Sequence, residues 1–167
     1  MITWWKNDDY GNDSVELYTL LTLDAQDFNH YYQISNDEIP YEHNGGEGFS
    51  NSYLLSDLRK WLNTTFYQTA FSSEQKKLIN ATAIQTNGHT VNDYVYIFSK
   101  DDAPTNGEQT DYATCQGAHN KQTWTSTPTE YAKQAYINPT NYYASGYAYV
   151  SEIYGIRPVI TLKIKEK

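Results

Sequence analysis

The apolar residues of this chain follow a helical period in one central segment. They stand at i, i+1, i+4, i+7, i+8 and i+12, and the members are Leu54, Leu55, Leu58, Trp61, Leu62 and Phe66. This spacing predicts one apolar stripe on an amphipathic helix. Ser52 precedes the stripe and is a candidate N-cap, because serine accepts hydrogen bonds from the first free amides of a helix. A second, shorter helix is predicted from Ser72, which stands at capping-box spacing from Gln75, with Leu78 and Ile79 as its apolar side.

Strand patterns dominate the first part of the chain. Residues 2–5 and 14–23 are predicted to pair as strands around the turn-rich loop 6–13. Residues 24–32 are predicted to be irregular or helical, and residues 39–52 form a loop that is interrupted by proline and glycine. The side chains of the second strand that would share one face are Val15, Leu17, Thr19, Leu21 and Leu23.

The second half of the chain adds further elements. Residues 93–99 predict a strand buried on both faces, and residues 108–117 predict a short helix. Trp124 is expected to begin a strand, residues 141–150 form a tyrosine-rich strand, and residues 155–164 form the closing strand. This order favours an α+β fold with a small antiparallel sheet and two central helices, in a single domain over residues 1–167.

Charge and cysteine content exclude several function classes. The net charge is −8 with a sequence pI of 4.8, and the one close group of lysines is Lys163, Lys165 and Lys167. A nucleic-acid partner is therefore not expected, because binding needs a basic face. No run of about 18 apolar residues occurs, so no membrane insertion is expected. Cys115 is the single cysteine, which excludes an internal disulfide and a four-cysteine zinc site.

The polar composition bears on where the protein works. Aromatic residues make up 16% of the chain and 17 residues are tyrosine, whereas charged residues make up only 19%. This favours a protein that works outside the cell or at its surface, although an aromatic-rich β core explains the same numbers. Residues 1–5 show no signal-peptide pattern, which an excised domain would also lack.

Several motifs carry a family resemblance. Residues 56–63 read Ser-Asp-Leu-Arg-Lys-Trp-Leu-Asn, and residues 155–162 read Gly-Ile-Arg-Pro-Val-Ile-Thr-Leu. In this order they resemble the helix and the ending of a bacterial domain of unknown function found in Gram-positive surface proteins and phage-related proteins. The other segments that resemble this family are residues 2–4, 18–23, 70–74 and 93–99. The resemblance implies a fold related to the formylglycine-generating enzymes and the C-type lectins.

The same resemblance limits the expected chemistry. Formylglycine-generating enzymes use a cysteine pair and copper, and this chain has one cysteine. The Glu-Pro-Asn-like and Trp-Asn-Asp-like calcium segments of C-type lectins are absent from the sequence. Residues 124–128 read Trp-Thr-Ser-Thr-Pro where the family usually has Trp-Leu-Arg-Ser-Pro, so a shared anion-binding role there is in doubt. We expect neither a cofactor nor a catalytic role.

The other groups of residues that could bind a metal or take part in catalysis are better explained by ordinary structural roles. Asp8, Asp9, Asn12, Asp13 and Glu16 suggest a calcium loop, but their spacing does not fit an EF-hand and a hairpin turn explains them better. The remaining candidates are each isolated in sequence or lie in a plain loop, and they are His30, His43, His89, His119, Glu42 and Cys115.

Two arginines and one tryptophan are predicted to be structural. Arg157 precedes Pro158 at the head of the closing strand, where its forked guanidinium could pair with a carboxylate or with loop carbonyls. The competing interpretation is a ligand-binding arginine. Arg59 and Trp61 belong to the central helix and are predicted to be part of the scaffold.

The tyrosine-rich stretch from Trp124 to Tyr154 is the strongest functional signal. On a strand, Tyr143, Tyr147 and Tyr149 would share one face. Tyrosine combines a large rigid ring with a polar tip, so it suits surfaces that bind sugars or proteins, but cross-strand packing explains it equally well. The leading hypothesis is a non-catalytic module that binds a glycan or a surface protein, with ligand-binding residues Trp124, Tyr136, Tyr142, Tyr143 and Tyr147. Two alternatives stay open. One is a structural domain packed against neighbouring domains of a larger chain, and the other is an enzyme with an unfamiliar site.

Overall fold

The computed structural model describes residues 2–9, 13–30, 51–86, 89–104, 108–118, 121–129, 134–138 and 146–164. The strands are β1 (Trp4–Asp9), β2 (Ser14–Thr19), β3 (Leu21–Thr22), β4 (Asp24–Asp27), β5 (Ile79–Asn80), β6 (Thr82–Thr86), β7 (His89–Asp93), β8 (Glu108–Gln109), β9 (Thr123–Pro128), β10 (Gln134–Asn138), β11 (Tyr147–Tyr149), β12 (Ile153–Ile156) and β13 (Val159–Lys163). The helical elements are a 3₁₀ turn (Tyr53–Leu55), α1 (Asp57–Trp61), a π turn (Leu62–Phe66), α2 (Tyr67–Ala70), α3 (Ser73–Lys76) and α4 (Asp111–Cys115).

Two larger sheets carry the fold. The first has the order β1-β2-β13-β5 and is antiparallel throughout. The second has the order β11-β10-β9-β12-β4 and is antiparallel except where β12 runs parallel to β9. Two small pairs, β3 with β8 and β6 with β7, complete the described strands. The class is therefore mixed α+β with mostly antiparallel strands, as the sequence predicts.

The central helical segment matches the predicted apolar stripe from Leu58 onward, whereas Leu54 and Leu55 belong to the 3₁₀ turn. The chain runs without a break from α1 through the π turn into α2, and Leu58, Leu62 and Phe66 point into the main hydrophobic cluster. The N-cap prediction was wrong: the Ser52 side chain makes no capping bond, whereas the Ser56 hydroxyl accepts from the Arg59 amide at 3.0 Å. The helix proper begins one turn later than the stripe, so the capping serine shifts with it.

The second helix is confirmed together with its capping box. Ser72 accepts from the amide of Gln75, and the Gln75 side chain accepts from the amide of Ser72. The helix ends at Lys76, however, and Ile79 belongs to β5 rather than to its apolar face. The short helix predicted within residues 108–117 is confirmed as α4.

Several strand predictions need correction. Residues 14–23 do not form one strand, because the chain leaves the first sheet after Thr19, and the buried positions include the polar Glu16 rather than only the predicted apolar set. Residues 24–27 form strand β4 instead of an irregular or helical piece. Residues 95–98 are buried, as predicted, but Tyr94 is exposed, and the described ladder there is a single bridge from Tyr96 to Val159.

The chain crosses between the two sheets at two adjacent places. One crossing follows Thr19, where β2 gives way to β3 and β4, and the other is Arg157-Pro158, between β12 and β13. The predicted single closing strand is therefore two strands in different sheets. Backbone bonds join the crossings, since the Thr19 amide donates to the Pro158 carbonyl at 3.1 Å and the Leu23 amide donates to the Ile156 carbonyl at 3.0 Å.

Candidate functional site

Three tyrosines meet on one face at the edge of the second sheet. Tyr136 of β10 lies directly opposite Tyr147 of β11, and Tyr149 lies opposite Gln134. Residues directly opposite each other in an antiparallel pair point to the same face with Cβ atoms about 5 Å apart. Tyr147 and Tyr149 are 47% and 49% exposed, and Tyr136 is half-buried. We call Tyr136, Tyr147 and Tyr149 the tyrosine surface.

Local sequence explains why these rings face outward. In both strands small or apolar residues alternate with the tyrosines, and Ala135, Ile137 and Ala148 are buried. Because strand side chains alternate between faces, burying this set turns the tyrosines toward solvent. Glu152 anchors the end of β11, since its carboxylate accepts from the Tyr149 amide at 3.1 Å.

A lysine lies against one side of the tyrosine surface. The ammonium of Lys100 is 4.5 Å from the centroid of the Tyr136 ring, a cation–π contact. The Lys100 amide donates to the Thr127 hydroxyl at 3.0 Å, which ties its backbone to β9. The tyrosine surface therefore has a positive charge beside its half-buried ring and two more open rings beyond it.

Trp124 does not belong to this surface, and its prediction as a ligand-binding residue was wrong. Its side chain is 2% exposed and its indole N–H donates to the Gln26 carbonyl at 2.8 Å. It packs edge-to-face on Phe28 and on Tyr154, with centroid distances of 5.4 and 5.1 Å. Burial, aided by the negative charge of Glu152, raises the pKa of the Tyr154 hydroxyl. Both faces of β9 are covered, so this tryptophan is a core residue.

Of the other predicted ligand-binding residues, the structure brings Tyr136 and Tyr147 together, while Tyr142 and Tyr143 lie outside the described residues. Sequence reasoning left Tyr149 and Lys100 out of the site. The period of two from Tyr147 points to Tyr149, but nothing in the sequence places Lys100 over Tyr136, because that contact depends on the path of the chain before β9.

The three residues predicted to be structural all lie within the scaffold. Arg157 is buried and donates to the carbonyls of Thr19, Leu20 and Pro104 at 3.1, 3.1 and 3.3 Å. Burial lowers the pKa of its guanidinium. These partners are backbone carbonyls at the end of β2 and in two loops, and pairing with carbonyls is one of the two possibilities predicted from the sequence.

Arg59 and Trp61 lie on the helix side of the core. Arg59 holds the buried Asp93 through Nε and one terminal nitrogen, with the shortest distance 2.7 Å. Trp61 is only partly buried and packs against Phe66, with ring centroids 5.4 Å apart.

Comparison with known families gives one result. Residues 29–164 match the family described as Domain of unknown function (DUF6273). This chain belongs to the DUF6273 family. No curated protein and no solved structure matches it significantly.

The DUF6273 match covers the features described above. It includes the helix with Arg59, the tyrosine surface and Arg157, and it begins after β4. The family description names no activity or ligand, so the site itself has to carry any functional argument.

The described part of the DUF6273 chain holds no group of three or more His, Cys, Asp or Glu side chains arranged to bind a metal. The predicted pairing of the first two strands is confirmed, but β1 continues to Asp9, so residues 6–9 are strand and not part of the predicted loop 6–13. His30 contacts Asp27 at 2.8 Å, Cys115 is exposed on α4, and Glu42, His43 and His119 lie outside the described residues.

Within the described ranges, no helix has both the length and the apolar character needed to cross a bilayer.

Proposed function

We propose that this DUF6273 domain is a non-catalytic recognition module that binds a glycan or a surface protein through the tyrosine surface. The observation that carries the proposal is the cross-strand pair of Tyr136 and Tyr147 extended by Tyr149, with two of the three rings about half exposed. Large aromatic side chains are normally buried, so a group of them held in solvent on regular strands is unusual for a purely structural surface.

The chemistry of the tyrosine surface suits such ligands. Each ring offers a flat apolar face for the apolar side of a sugar or for a partner side chain, and each hydroxyl offers a donor and an acceptor. A tyrosine loses little conformational entropy when it binds, because it has only two side-chain torsions. Lys100 and Gln134 add a cation and an amide at the border of the same face.

The proposal also includes the lectin-like fold and the extracellular place of action that the sequence predicts. A lectin-like fold, a parent protein at the surface of a Gram-positive cell or in a phage-related assembly, and an extracellular place of action are all compatible with the mixed α+β class and with the DUF6273 match. They rest on the motif resemblance of residues 56–63 and 155–162.

A glycan array probed with the labelled domain, with and without calcium, tests the proposal. We expect a specific glycan hit that Tyr147→Ala and Tyr149→Ala each weaken about tenfold or more, as for central aromatic contacts in other interfaces. Tyr112→Ala is the matched control. Tyr112 is 60% exposed on α4, which packs against β4 at the opposite edge of the sheet.

The same variants should be screened in parallel against immobilised surface proteins. Binding there but not to glycans would identify the protein branch of the proposal. Retention of every hit in both tyrosine variants would contradict the tyrosine surface as the binding face.

One observation favours a second candidate, a structural domain of a larger surface or tail assembly. Among the described strands β11 lies at the edge of the second sheet, and an edge strand can pair with a neighbouring chain. Concentration-dependent self-association in sedimentation experiments, abolished by Tyr147→Ala and unaffected by Tyr112→Ala, would favour this candidate.

A further inference from the structure

A cleft of about 450 Å³ opens beside the β6–β7 hairpin. It is lined by residues 83–85 of β6, by residues 96–99 and by three residues from other segments, Glu16, Asp102 and Ser126. We call it the hairpin cleft. Its volume lies within the range of ordinary small-molecule sites, about 300–1,000 Å³, so its lining decides which class of molecule it suits.

The buried carboxylate of the hairpin cleft already takes part in contacts within the protein. Glu16 is only 5% exposed and accepts a hydrogen bond from the Tyr96 hydroxyl. Tyr96 is held to the first sheet, because its amide and its carbonyl both bond to Val159, at 3.0 and 2.8 Å. Glu16 and Tyr96 are therefore a fixed part of the wall, and the ligand has to be inferred from the other polar groups of the lining.

Ser126 supplies a buried hydroxyl group to the hairpin cleft. It is 5% exposed, and its amide donates to the Phe98 carbonyl at 2.9 Å, which fixes it in the wall. Its neighbours Thr125 and Thr127 use their hydroxyls in hydrogen bonds within the protein, at 2.9 and 3.0 Å. Within the described ranges the Ser126 hydroxyl has no such partner. Because a buried hydroxyl without a hydrogen bond is costly, a ligand that bonds to it gains affinity.

The mouth of the hairpin cleft presents hydrogen-bond acceptors. Asp102 is exposed, and its Oδ2 atom accepts from the Ser99 hydroxyl at 2.6 Å, which leaves Oδ1 available to a ligand. Gln85 is exposed on β6, and its Nε2 atom donates to the Thr90 hydroxyl at 2.8 Å, which leaves its Oε1 atom as an acceptor. A matching ligand therefore carries several hydrogen-bond donors.

Apolar side chains form the remaining lining. Ile84 is partly buried against the main hydrophobic cluster, and Phe98 packs edge-to-face on Tyr18 with ring centroids 5.5 Å apart. These walls accept C–H groups, but they cannot replace the water around an ion. A ring with an apolar C–H face and several hydroxyl groups on its edge fits both parts of the lining.

Charge narrows the ligand further. The Asp102 carboxylate at the mouth disfavours an anionic ligand. A cation would meet Asp102 where the side chain is open to water, and water weakens such an ion pair. Hydroxyl groups, in contrast, can bond to a carboxylate, an amide oxygen and a serine without bringing a net charge into the cleft.

We propose that the hairpin cleft is a binding site for an uncharged pyranose sugar. The C–H groups of the ring lie along Ile84 and Phe98. The hydroxyl groups bond to Ser126 on the buried side and to Asp102 and Gln85 at the mouth. The hairpin cleft shares no residue with the tyrosine surface, so either proposal can fail while the other stands.

Amide NMR titrations of the whole domain provide the test. The neutral probes are the methyl glycosides of glucose, galactose and mannose, and tetrahydropyran-2-methanol is the control that keeps the ring but only one hydroxyl. Glucosamine and glucuronate supply a positive and a negative charge. We expect saturable shifts of the Ala83, Ile84 and Ser99 amides with at least one methyl glycoside, none with the control or with glucuronate, and no tighter binding of glucosamine.

Two substitutions locate the sugar. Ser126→Ala removes the buried hydroxyl without adding volume and should weaken binding about threefold to tenfold, as expected for one neutral hydrogen bond. Asp102→Ala should weaken it at least threefold, and this exposed position keeps the test valid if a melting curve shows that Ser126→Ala does not fold. Asp101→Ala, the adjacent exposed acid outside the lining, and Tyr147→Ala are the matched controls and should bind normally.

Four results would overturn the proposal. The first is no saturable shift near the cleft with any of the three methyl glycosides, and the second is equally strong binding of tetrahydropyran-2-methanol. The third is glucosamine binding about tenfold tighter than every neutral sugar, which would show that charge is recognised. The fourth is unchanged affinity in folded Ser126→Ala and in Asp102→Ala, and a loss in Tyr147→Ala at the same time would assign the sugar to the tyrosine surface.

Discussion

Replacement of Arg157 by lysine tests how the two sheets are held together. The guanidinium lies at the second crossing between the sheets and donates to Thr19 and Leu20 at the first crossing and to Pro104 from a separate segment. Its carbon centre is also 5.4 Å from the centroid of the Tyr18 ring. One planar fork thus joins three pieces of chain that are distant in sequence.

The expected loss of unfolding free energy in Arg157→Lys follows from the hydrogen-bond donors that lysine cannot supply. Arg157 is 6% exposed, so its guanidinium is held almost entirely inside the protein. A lysine ammonium is a compact donor on a flexible stem and cannot span three carbonyls arranged around a fork. A hydrogen bond from a charged group contributes about 1.5–3 kcal/mol, so loss of one or two should cost about 2–4 kcal/mol. For a domain of this size that corresponds to a fall in Tm of about 5–15 °C.

Urea unfolding and thermal melts of Arg157→Lys and Arg157→Met measure this cost. Arg157→Met should lose more, because it removes every donor and leaves the carbonyls of Thr19, Leu20 and Pro104 without this partner. Lys163→Met, an exposed change on the neighbouring strand β13, is the control and should stay within about 0.5 kcal/mol of the parent chain. An Arg157→Lys variant as stable as the parent would refute the structural role and revive the ligand-binding interpretation.

Three further outcomes follow from single contacts. Asp93→Asn should destabilise the fold by about 3 kcal/mol in urea melts, because it leaves the partly buried Arg59 without its ionic partner, and a loss below about 1 kcal/mol would contradict this. Gly155→Ala should cost about 1–3 kcal/mol or more, since the added Cβ would lie 2.8 Å from the Gln122 carbonyl oxygen, and an unchanged Tm would contradict that close packing. Burial raises the pKa of the Asp24 carboxyl above its unfolded value, despite opposing hydrogen bonds. The stability that this carboxyl contributes is therefore present below the unfolded pKa and is lost as the pH rises through the folded pKa. Asp24→Asn should therefore gain stability over the parent chain as the pH rises through and above about 4, the ordinary pKa of an aspartate, and a constant difference between pH values below and above it would be the contrary result.

Local signals predicted the helices better than the strands. The apolar stripe and the capping box at Ser72 depend on neighbours within one or two turns. The capping box appears in the structure, and so does the stripe from Leu58 to Phe66, whereas Leu54 and Leu55 lie outside the main hydrophobic cluster. The capping residue Ser56 was missed because three apolar residues precede it and look like part of the helix, although they form a separate 3₁₀ turn.

The sequence also marks the hairpin of β6 and β7, which the strand predictions above do not include. Residues 87–88 are Asn-Gly, the strongest short sequence mark of a two-residue hairpin turn, and the paired residues Thr86 and His89 flank them. This hairpin forms one wall of a cleft of about 450 Å³ that Glu16 and Tyr96 also line, so the sequence did not reveal that cleft either.

The remaining differences between the sequence predictions and the structure involve residues whose surroundings come from distant parts of the chain. Trp124 stands in the run Thr-Trp-Thr-Ser-Thr, where alternation gives no clue to which face is covered, and only the position of β9 inside the sheet makes it a core residue. Glu16 is polar and looked like a turn or surface residue, but Tyr96, 80 positions later, brings it a buried partner. Neither contact has a local signature, because both depend on sheet order.

The positions of Arg157 and the tyrosine surface separate stability from binding. The crossing held by Arg157 adjoins β12 and β4, whereas Tyr147 and Tyr149 lie on β11 at the other edge of the five-stranded sheet. About half of each of these two rings already faces water, so truncating either ring removes little buried surface. A tyrosine variant that loses a ligand while keeping its melting temperature would therefore report on binding itself. A variant that loses both would show that the tyrosine surface is part of the packing of the sheet, and that the aromatic composition serves the fold.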